Sequence, residues 1–323
     1  MRNSESGTFL RNSRASEARS EAEPSEVDTW PAVHVARRAR RAFTPRMQEA
    51  KPPSERFRAL ATKLRADENV GLAEAALLLA AEFAHVDPAK AFAELDRLGE
   101  SARKKIPDGT AAARLEALLL HLQRDCGYYG NRSEYGDPRN SDLSQVIARR
   151  TGIPITLALV AIEVGARCGV PLLGVPFPAH FLVRTPGDPP VLADPFHFRL
   201  VSDAEATERL RASFGPEATL EPVFLRPANT RATLIRMCSN LKHLHVGKQE
   251  FLDAIGLCDR ILLLAPEIAT EHRDRAVLYA RLECFGPALA DLEKYLELEP
   301  KAEDAEEVRE NIEKLRPLVR AIN

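Results

Sequence analysis

Four motifs between residues 137 and 197 decide the fold of this chain: Asp137-Pro138-Arg139-Asn140-Ser141, Gly152-Ile153-Pro154-Ile155, His180-Phe181-Leu182-Val183-Arg184 and Asp194-Pro195-Phe196-His197. The strongly apolar run at residues 155–168 predicts a buried helix. The turn residues at 186–190 separate two short apolar runs, which predicts a β-hairpin with its strands at 180–184 and 191–194. Such a hairpin places His180 across from Asp194. The stretch therefore predicts a helix start, a strand histidine and a carboxylate in one neighbourhood.

Helices are predicted on the N-terminal side of these motifs. Asp87-Pro88 is a typical N-cap followed by a proline in the first helical position. Residues 111–123 place four leucines at helical spacing. With the strands that follow, this pattern indicates an α+β domain that is mostly helical and carries a small antiparallel sheet.

The C-terminal residues contain an internal repeat of 34 residues. Ala254 is matched by Ala288, and Pro266 is matched by Pro300. A period of 34 with an early alanine and a closing proline is typical of tetratricopeptide repeats, in which each unit is a helix pair. Stacked α-α repeats present a concave face to partners, so this region predicts a protein or peptide partner.

Composition excludes several classes of protein. The net charge is −2, so no overall field favours nucleic acid, and no apolar run reaches the ~20 residues of a membrane span. Five cysteines at irregular spacing and no export signal predict reduced thiols in the cytoplasm. No metal-binding or nucleotide-binding motif occurs, so neither a cofactor nor a metal site is predicted.

Residues 1–53 are rich in Ser, Glu, Arg and Pro and predict a disordered tail, whose basic cluster at 37–41 we interpret as solvated.

Together with Gly130-Asn131, these motifs resemble the core of the bacterial SirB family, in which a transglutaminase-like domain precedes tetratricopeptide repeats. The resemblance covers roughly residues 55 to 320 and implies a papain- or transglutaminase-type fold. In such a core a cysteine thiolate at a helix N-terminus works with a histidine that a carboxylate orients. The resemblance also implies a regulatory association rather than a defined reaction.

The position that needs the cysteine holds Pro154, Ile155 and Thr156 instead. Thr156 is either a helix-capping residue or a weak nucleophile, since its hydroxyl pKa lies far above neutrality and its β-branched side chain is stiff. Cys126 borders the loop before the motifs and is the alternative thiol. Cys168 follows at the far end of the helix, where the helix dipole raises a thiol pKa.

The remaining candidates each have a structural alternative. His180 and Asp194 form either a histidine–carboxylate pair or a satisfied group and a strand end. His197 is a second site residue or a surface group. Asn131, Arg139 and Asn140 cap helices and satisfy the loop, or bind a ligand, with Arg139 clamping a carboxylate. Arg184 pairs with Asp194 or faces solvent.

These inferences predict three segments: a tail at 1–53, a transglutaminase-like domain at 54–225 and a tetratricopeptide-like repeat domain at 228–323. The leading hypothesis is a non-catalytic, regulatory protein-interaction module. The rival is a hydrolase or acyltransferase that uses His180 as base with Thr156 or a loop cysteine. A third hypothesis treats the core as a scaffold for the repeats.

Overall fold

The computed structural model describes residues 50–322. The predicted tail lies outside these residues except for its last four positions, and the basic cluster at 37–41 lies wholly outside them. The described residues divide into two compact units. We call residues 70–236 the core unit, and residues 50–69 together with 237–322 the repeat unit.

The described part of the chain is predominantly α-helical. In chain order its α-helices are α1 Glu55–Arg65, α2 Leu72–Ala81, α3 Pro88–Arg103, α4 Ala111–Leu120, α5 Leu143–Arg149, α6 Pro154–Cys168, α7 Asp203–Phe214, α8 Thr230–Gly247, α9 Phe251–Leu264, α10 Ala269–Arg281, α11 Phe285–Leu298 and α12 Ala305–Ile322. Its strands are β1 Tyr129–Gly130, β2 Thr151–Gly152, β3 Leu173–Val175, β4 Leu182–Arg184, β5 Leu192–Asp194 and β6 Arg199–Val201. None of these helices combines the length and the hydropathy that a membrane span requires.

Helices α3 and α4 of the core unit begin where the sequence places capping residues. Asp87 Oδ1 accepts the Lys90 N–H at 3.1 Å, and Pro88 occupies the first helical position. Thr110 Oγ1 accepts the Ala113 N–H at 3.2 Å at the start of α4. These bonds satisfy N–H groups that have no partner within the helix, which is why the predicted starts are found in the structure.

Helix α6 forms the centre of the core unit, and most of its residues are buried. It packs against α3 and against strands β3 and β4. The helix ends at Gly169, whose φ of 81° lies in the left-handed region that a glycine adopts without strain. The predicted buried helix is confirmed, and it supports the sheet whose strand β5 ends at Asp194 and whose strand β4 follows His180.

The sheet is antiparallel, with the strand order β3-β4-β5-β6. In the β4–β5 hairpin Val183 pairs with Ala193, so the predicted hairpin is confirmed. Strand β4 starts two residues later than predicted and leaves His180 in the turn before it. Two prolines, Pro176 and Pro178, precede this turn, and a proline has no N–H to donate to a ladder. Strand β6 was not predicted.

A two-residue parallel pair, β1–β2, joins the long loop to the start of α6. In this pair Gly130 lies against the chain that follows β5. A Cβ at Gly130 would lie 2.6 Å from the Phe196 ring and 2.7 Å from the Phe196 carbonyl oxygen. Only a glycine permits this approach, so Gly130 holds the loop close to the Asp194-Pro195-Phe196-His197 turn.

The repeat unit confirms the 34-residue period. Helices α9 and α11 each contain 14 residues, and they begin at Phe251 and Phe285. Ala254 and Ala288 are fully buried at equivalent positions. Successive helices from α9 to α12 pack against one another, and α1 packs against α9. Residues 54–69 therefore pack with the repeat unit. The predicted transglutaminase-like domain, 54–225, includes these residues. The domain bounds given by the sequence stay a prediction.

Candidate functional site

The site is built around Asp194, the last residue of β5, whose carboxylate is fully buried. The turn that follows wraps around this side chain. The backbone N–H groups of Phe196 and His197 donate to Asp194 Oδ1 at 3.0 and 3.3 Å. An aspartate commonly accepts hydrogen bonds from the backbone two and three residues ahead, so the Asp-Pro-Phe-His sequence itself fixes the carboxylate.

Three basic side chains surround the Asp194 carboxylate. His197 Nδ1 lies 2.7 Å from Oδ2, and an Arg209 guanidinium nitrogen donates to the same oxygen at 2.9 Å. His180 Nε2 lies 2.9 Å from Oδ1 as an ion-pair contact, and this atom has no hydrogen-bond partner among the described residues. We therefore treat His180 and Asp194 as a close electrostatic pair rather than as a hydrogen bond.

The pKa of Asp194 reflects a competition between burial and these partners. Burial by itself raises the pKa of a carboxyl, whereas His180, His197 and Arg209 favour its charged form. The partners dominate and hold the pKa of Asp194 well below its ordinary value. The carboxylate is thus ionised at neutral pH; it holds the His197 ring through Nδ1 and lies 2.9 Å from the His180 ring.

Aromatic rings enclose the two histidines. The His180 and His197 rings stack with centroids 6.0 Å apart and an interplanar angle of 20°. Phe196 meets both rings edge-on, at 6.1 and 5.1 Å, and Tyr135 meets Phe196 edge-on at 6.1 Å. Tyr135 is 54% exposed, so this aromatic group continues from the buried carboxylate to the surface.

Arg209 is the site residue that sequence reasoning missed. It lies on α7, fifteen residues after Asp194, and it also donates to Glu205 at 2.9 Å. The only signal in the sequence is the spacing of four between Glu205 and Arg209, which on a helix is typical of an ordinary surface ion pair. Nothing in the sequence connects that pair to Asp194.

The start of α6 contains the position where the resemblance expects a thiol. Pro154 is the first helical residue and Thr156 the third. Thr156 is fully buried; its Oγ1 donates to the Asn140 carbonyl at 2.7 Å and accepts the Ile153 N–H at 3.2 Å. Thr156 thus satisfies the helix start from its third position, and its hydroxyl is engaged on both sides.

Replacing Thr156 with valine is expected to destabilise the protein by about 2 kcal/mol, because two buried backbone groups lose their partner. Thr156→Ser keeps the hydroxyl and is the matched control, with an expected loss below about 1 kcal/mol. Urea unfolding followed by circular dichroism measures both. Equal losses for valine and serine would show that the hydroxyl contributes nothing to the helix start.

The loop residues Asn131 and Asn140 are buried and bind each other. Asn131 Nδ2 donates to Asn140 Oδ1 at 3.1 Å, and Asn140 Nδ2 donates to the Glu134 carbonyl at 2.8 Å. Asn131 Oδ1 accepts the Glu134 N–H at 3.0 Å. Both amides therefore shape the loop from within, and their predicted role in ligand binding stays a prediction.

The two candidate arginines have protein partners. Arg139 is 60% exposed and forms an ion pair with Asp137 at 2.8 Å. Arg184 neither pairs with Asp194 nor points freely into solvent: it donates to the carbonyl oxygens of Thr185, Leu225 and Gly187 at 3.1 to 3.2 Å. Of the two, only Arg139 presents an exposed guanidinium to a possible ligand.

Cys126 contacts a histidine, but the histidine is His121. Its Sγ lies 3.4 Å from His121 Nε2, and His121 Nδ1 lies 2.7 Å from Asp125 Oδ2. Burial raises the pKa of the Cys126 thiol, so the thiol stays protonated at neutral pH. Burial likewise raises the pKa of Cys168. None of the five cysteines forms a disulfide, and neither thiol of the core unit's described residues is activated.

The core unit combines a helix start, an aspartate at the end of one strand of an antiparallel sheet and a histidine in the turn before the neighbouring strand. With the helix pairs of period 34 in the repeat unit, these features define a transglutaminase-like domain joined to tetratricopeptide repeats. Comparison with protein families agrees. Residues 89–239 match a family described as the transglutaminase-like superfamily, and residues 241–313 match a tetratricopeptide repeat family.

Named relatives cover most of the chain. It is 42% identical over 201 residues to a UPF0162 protein of Xylella fastidiosa, which covers 61% of this chain and 72% of the relative. It is 35% identical over 232 residues to a UPF0162 protein of Pseudomonas aeruginosa, with 72% and 86% covered. It is 27% identical over 244 residues to Protein SirB1 of Salmonella typhimurium, with 73% and 90% covered. The chain belongs to this SirB-type, UPF0162 family. No solved structure matches it.

Proposed function

We propose that this chain is a non-catalytic, cytoplasmic regulatory protein whose transglutaminase-like core and helical repeats both bind a protein or peptide partner. One observation carries the proposal. The helix start that supplies the nucleophile in catalytic relatives of this fold holds Pro154, Ile155 and Thr156, and the Thr156 hydroxyl is buried and engaged by Asn140 and Ile153. The histidine and its carboxylate are present without a group to activate.

The residues around His180 suit recognition. The His180 and His197 side chains are 14% and 29% exposed, and Tyr135 is half exposed beside them. Partly exposed imidazole rings beside aromatic rings can offer stacking and hydrogen bonds to a peptide.

The repeat unit supports the same proposal independently. Tetratricopeptide repeats generally mediate protein–protein contacts, because stacked helix pairs create an extended concave surface. A chain that combines such repeats with a core lacking its nucleophile fits an adaptor in which both parts contact the partner.

The rival function is a hydrolase or acyltransferase, and the His180–Asp194 contact at 2.9 Å favours it. In such an enzyme His180 accepts the proton of a nucleophile, and that nucleophile must lie beside the ring. Thr156 is fully buried, and Cys126 pairs with His121. Both nucleophiles named for this mechanism are therefore committed to other contacts.

The decisive experiment compares the wild-type protein with His180→Ala and with His85→Ala, an exposed histidine of the core unit as the matched control. Acyl transfer from a glutamine peptide to a primary amine, and hydrolysis of an activated ester, are expected to equal the background with all three proteins. Quantitative affinity capture from cells is expected to recover a partner with wild type and His85→Ala, and several-fold less with His180→Ala. Turnover that His180→Ala abolishes would establish the enzyme instead.

A further inference from the structure

We propose that His180, Asp194 and His197 form a binding site for one divalent transition-metal ion such as Zn²⁺ or Co²⁺. Ligand atoms of the three side chains, one from each, all lie within 4.8 Å of one another. Two imidazole nitrogens and one carboxylate oxygen are a ligand set that borderline divalent metals favour, and this set leaves coordination positions open. The inference is independent of whether the core is catalytic.

His180 Nε2 is the first reason to infer an ion. This nitrogen is buried, and it has no aligned hydrogen-bond partner although Asp194 Oδ1 lies 2.9 Å away. A buried polar atom almost always has a partner in the direction of its proton or lone pair. Coordination of an ion by the Nε2 lone pair provides one.

The contact between His197 and Asp194 is a place where a metal ion can replace a proton. His197 Nδ1 and Asp194 Oδ2 lie 2.7 Å apart, so a proton on Nδ1 is directed at the carboxylate. A metal ion that binds these two atoms takes the place of that proton, and His197 Nδ1 becomes a ligand when the neutral ring carries its N–H on Nε2 instead. The His197 side chain is 29% exposed, so the ion has a route from solvent.

The hydrogen bonds around the Asp194 carboxylate resemble those that orient the ligands of a metal site from outside the coordination sphere. Asp194 Oδ1 accepts two backbone N–H groups, and Oδ2 accepts from Arg209. Outer hydrogen bonds of this kind hold ligating carboxylates in place. Arg209 also carries a positive charge that opposes a second cation, although Glu205, 2.9 Å from Arg209, offsets part of it. We therefore expect weaker binding than at a closed structural zinc site.

The test is titration of the full-length protein, dialysed against EDTA and then against metal-free buffer, with ZnCl₂ and with CoCl₂. Calorimetry is expected to show one site in the wild type. His180→Gln and His197→Gln are each expected to weaken binding by at least about tenfold, since even loss of an outer contact costs about 10–100-fold. His245→Gln is the matched control, because His245, Glu250 and Asp253 form the other three-residue group with metal-ligand spacing.

A second measurement needs no substitution. In the cobalt-loaded protein, the ring protons of coordinating histidines shift strongly in the proton NMR spectrum, and two such rings are expected.

Unaltered affinity in both His180→Gln and His197→Gln would overturn the assignment. Loss of the site in His245→Gln would also overturn it, and so would a cobalt spectrum without shifted imidazole protons. Circular dichroism establishes that each variant is folded. Because the readout is metal alone, failure here leaves the proposed partner binding untouched.

Discussion

Replacing Asp194 with alanine is expected to lower the free energy of unfolding of the core unit by about 3–5 kcal/mol, the usual cost of removing one partner from a buried ion pair. The carboxylate is fully buried, and it is approached by Arg209, His180 and His197. Without it the Arg209 charge keeps only Glu205, and two backbone N–H groups in the turn lose their acceptor. The turn that carries His197 is expected to loosen.

The control for this change is Asp96→Ala. Asp96 also pairs with an arginine, Arg167 at 2.7 Å, but its side chain is 64% exposed. Exposed pairs contribute about 0–1 kcal/mol, so Asp96→Ala is expected to be nearly neutral. Urea unfolding compares the variants, and hydrogen exchange localises the loss to β5 and the following turn. A loss below about 1 kcal/mol for Asp194→Ala would show that the carboxylate does not hold the site together.

Replacing Lys242 with methionine is expected to destabilise the repeat unit by about 3–5 kcal/mol. Lys242 is almost completely buried on α8, and its Nζ donates to Glu271 at 2.7 Å and to Asp274 at 2.8 Å on α10. Burial alone lowers the pKa of a lysine, but the two carboxylates outweigh it and hold the pKa of Lys242 well above its ordinary value. Methionine fills the same space but leaves Glu271 buried without the Lys242 cation, and Asp274 with only the longer contact to Arg273 at 3.5 Å.

Lys294→Met is the matched control in the same unit, because Lys294 pairs with Glu297 at 2.8 Å with both side chains exposed. It is expected to change stability by less than about 1 kcal/mol. The triple variant Lys242→Met, Glu271→Gln, Asp274→Asn is expected to recover part of the loss, since no unpaired charge remains buried. Thermal unfolding followed by circular dichroism tests all three proteins. A single Lys242→Met variant as stable as the wild type would contradict the expected dependence on this cation.

The secondary structure was largely predictable because its signals are local. The Asp87-Pro88 cap, the apolar run that became α6 and the turn between β4 and β5 each act through neighbours a few residues away. The 34-residue period could also be recognised from the sequence, because each repeat carries its own copy of the pattern. The start of β4 was misplaced where Pro176 and Pro178 interrupt the ladder.

The site was only partly predictable. His180 and Asp194 could be paired from the hairpin alone, and the structure places them 2.9 Å apart. Arg209 could not be found, because its contact with Asp194 depends on how α7 packs against the sheet. The contact of Cys126 with His121 was likewise missed: the residues are five apart, where a π-helical turn replaces regular α-helix. The sequence did not indicate that His180, Asp194 and His197 place their ligand atoms within 4.8 Å of one another, because that arrangement depends on the fold of the turn after β5.

The amino-acid sequence alone determined the order of the helices, the hairpin, the repeat and the absence of a thiol at the start of α6. These properties follow from hydrophobic periodicity, capping and residue identity, all of which act over short stretches of chain. Tertiary structure alone decided that the Thr156 hydroxyl is engaged, that Arg209 joins Asp194, and that two imidazoles converge on one buried carboxylate. Such contacts join residues distant in sequence, and their energies depend on burial and distance, which only the folded chain defines.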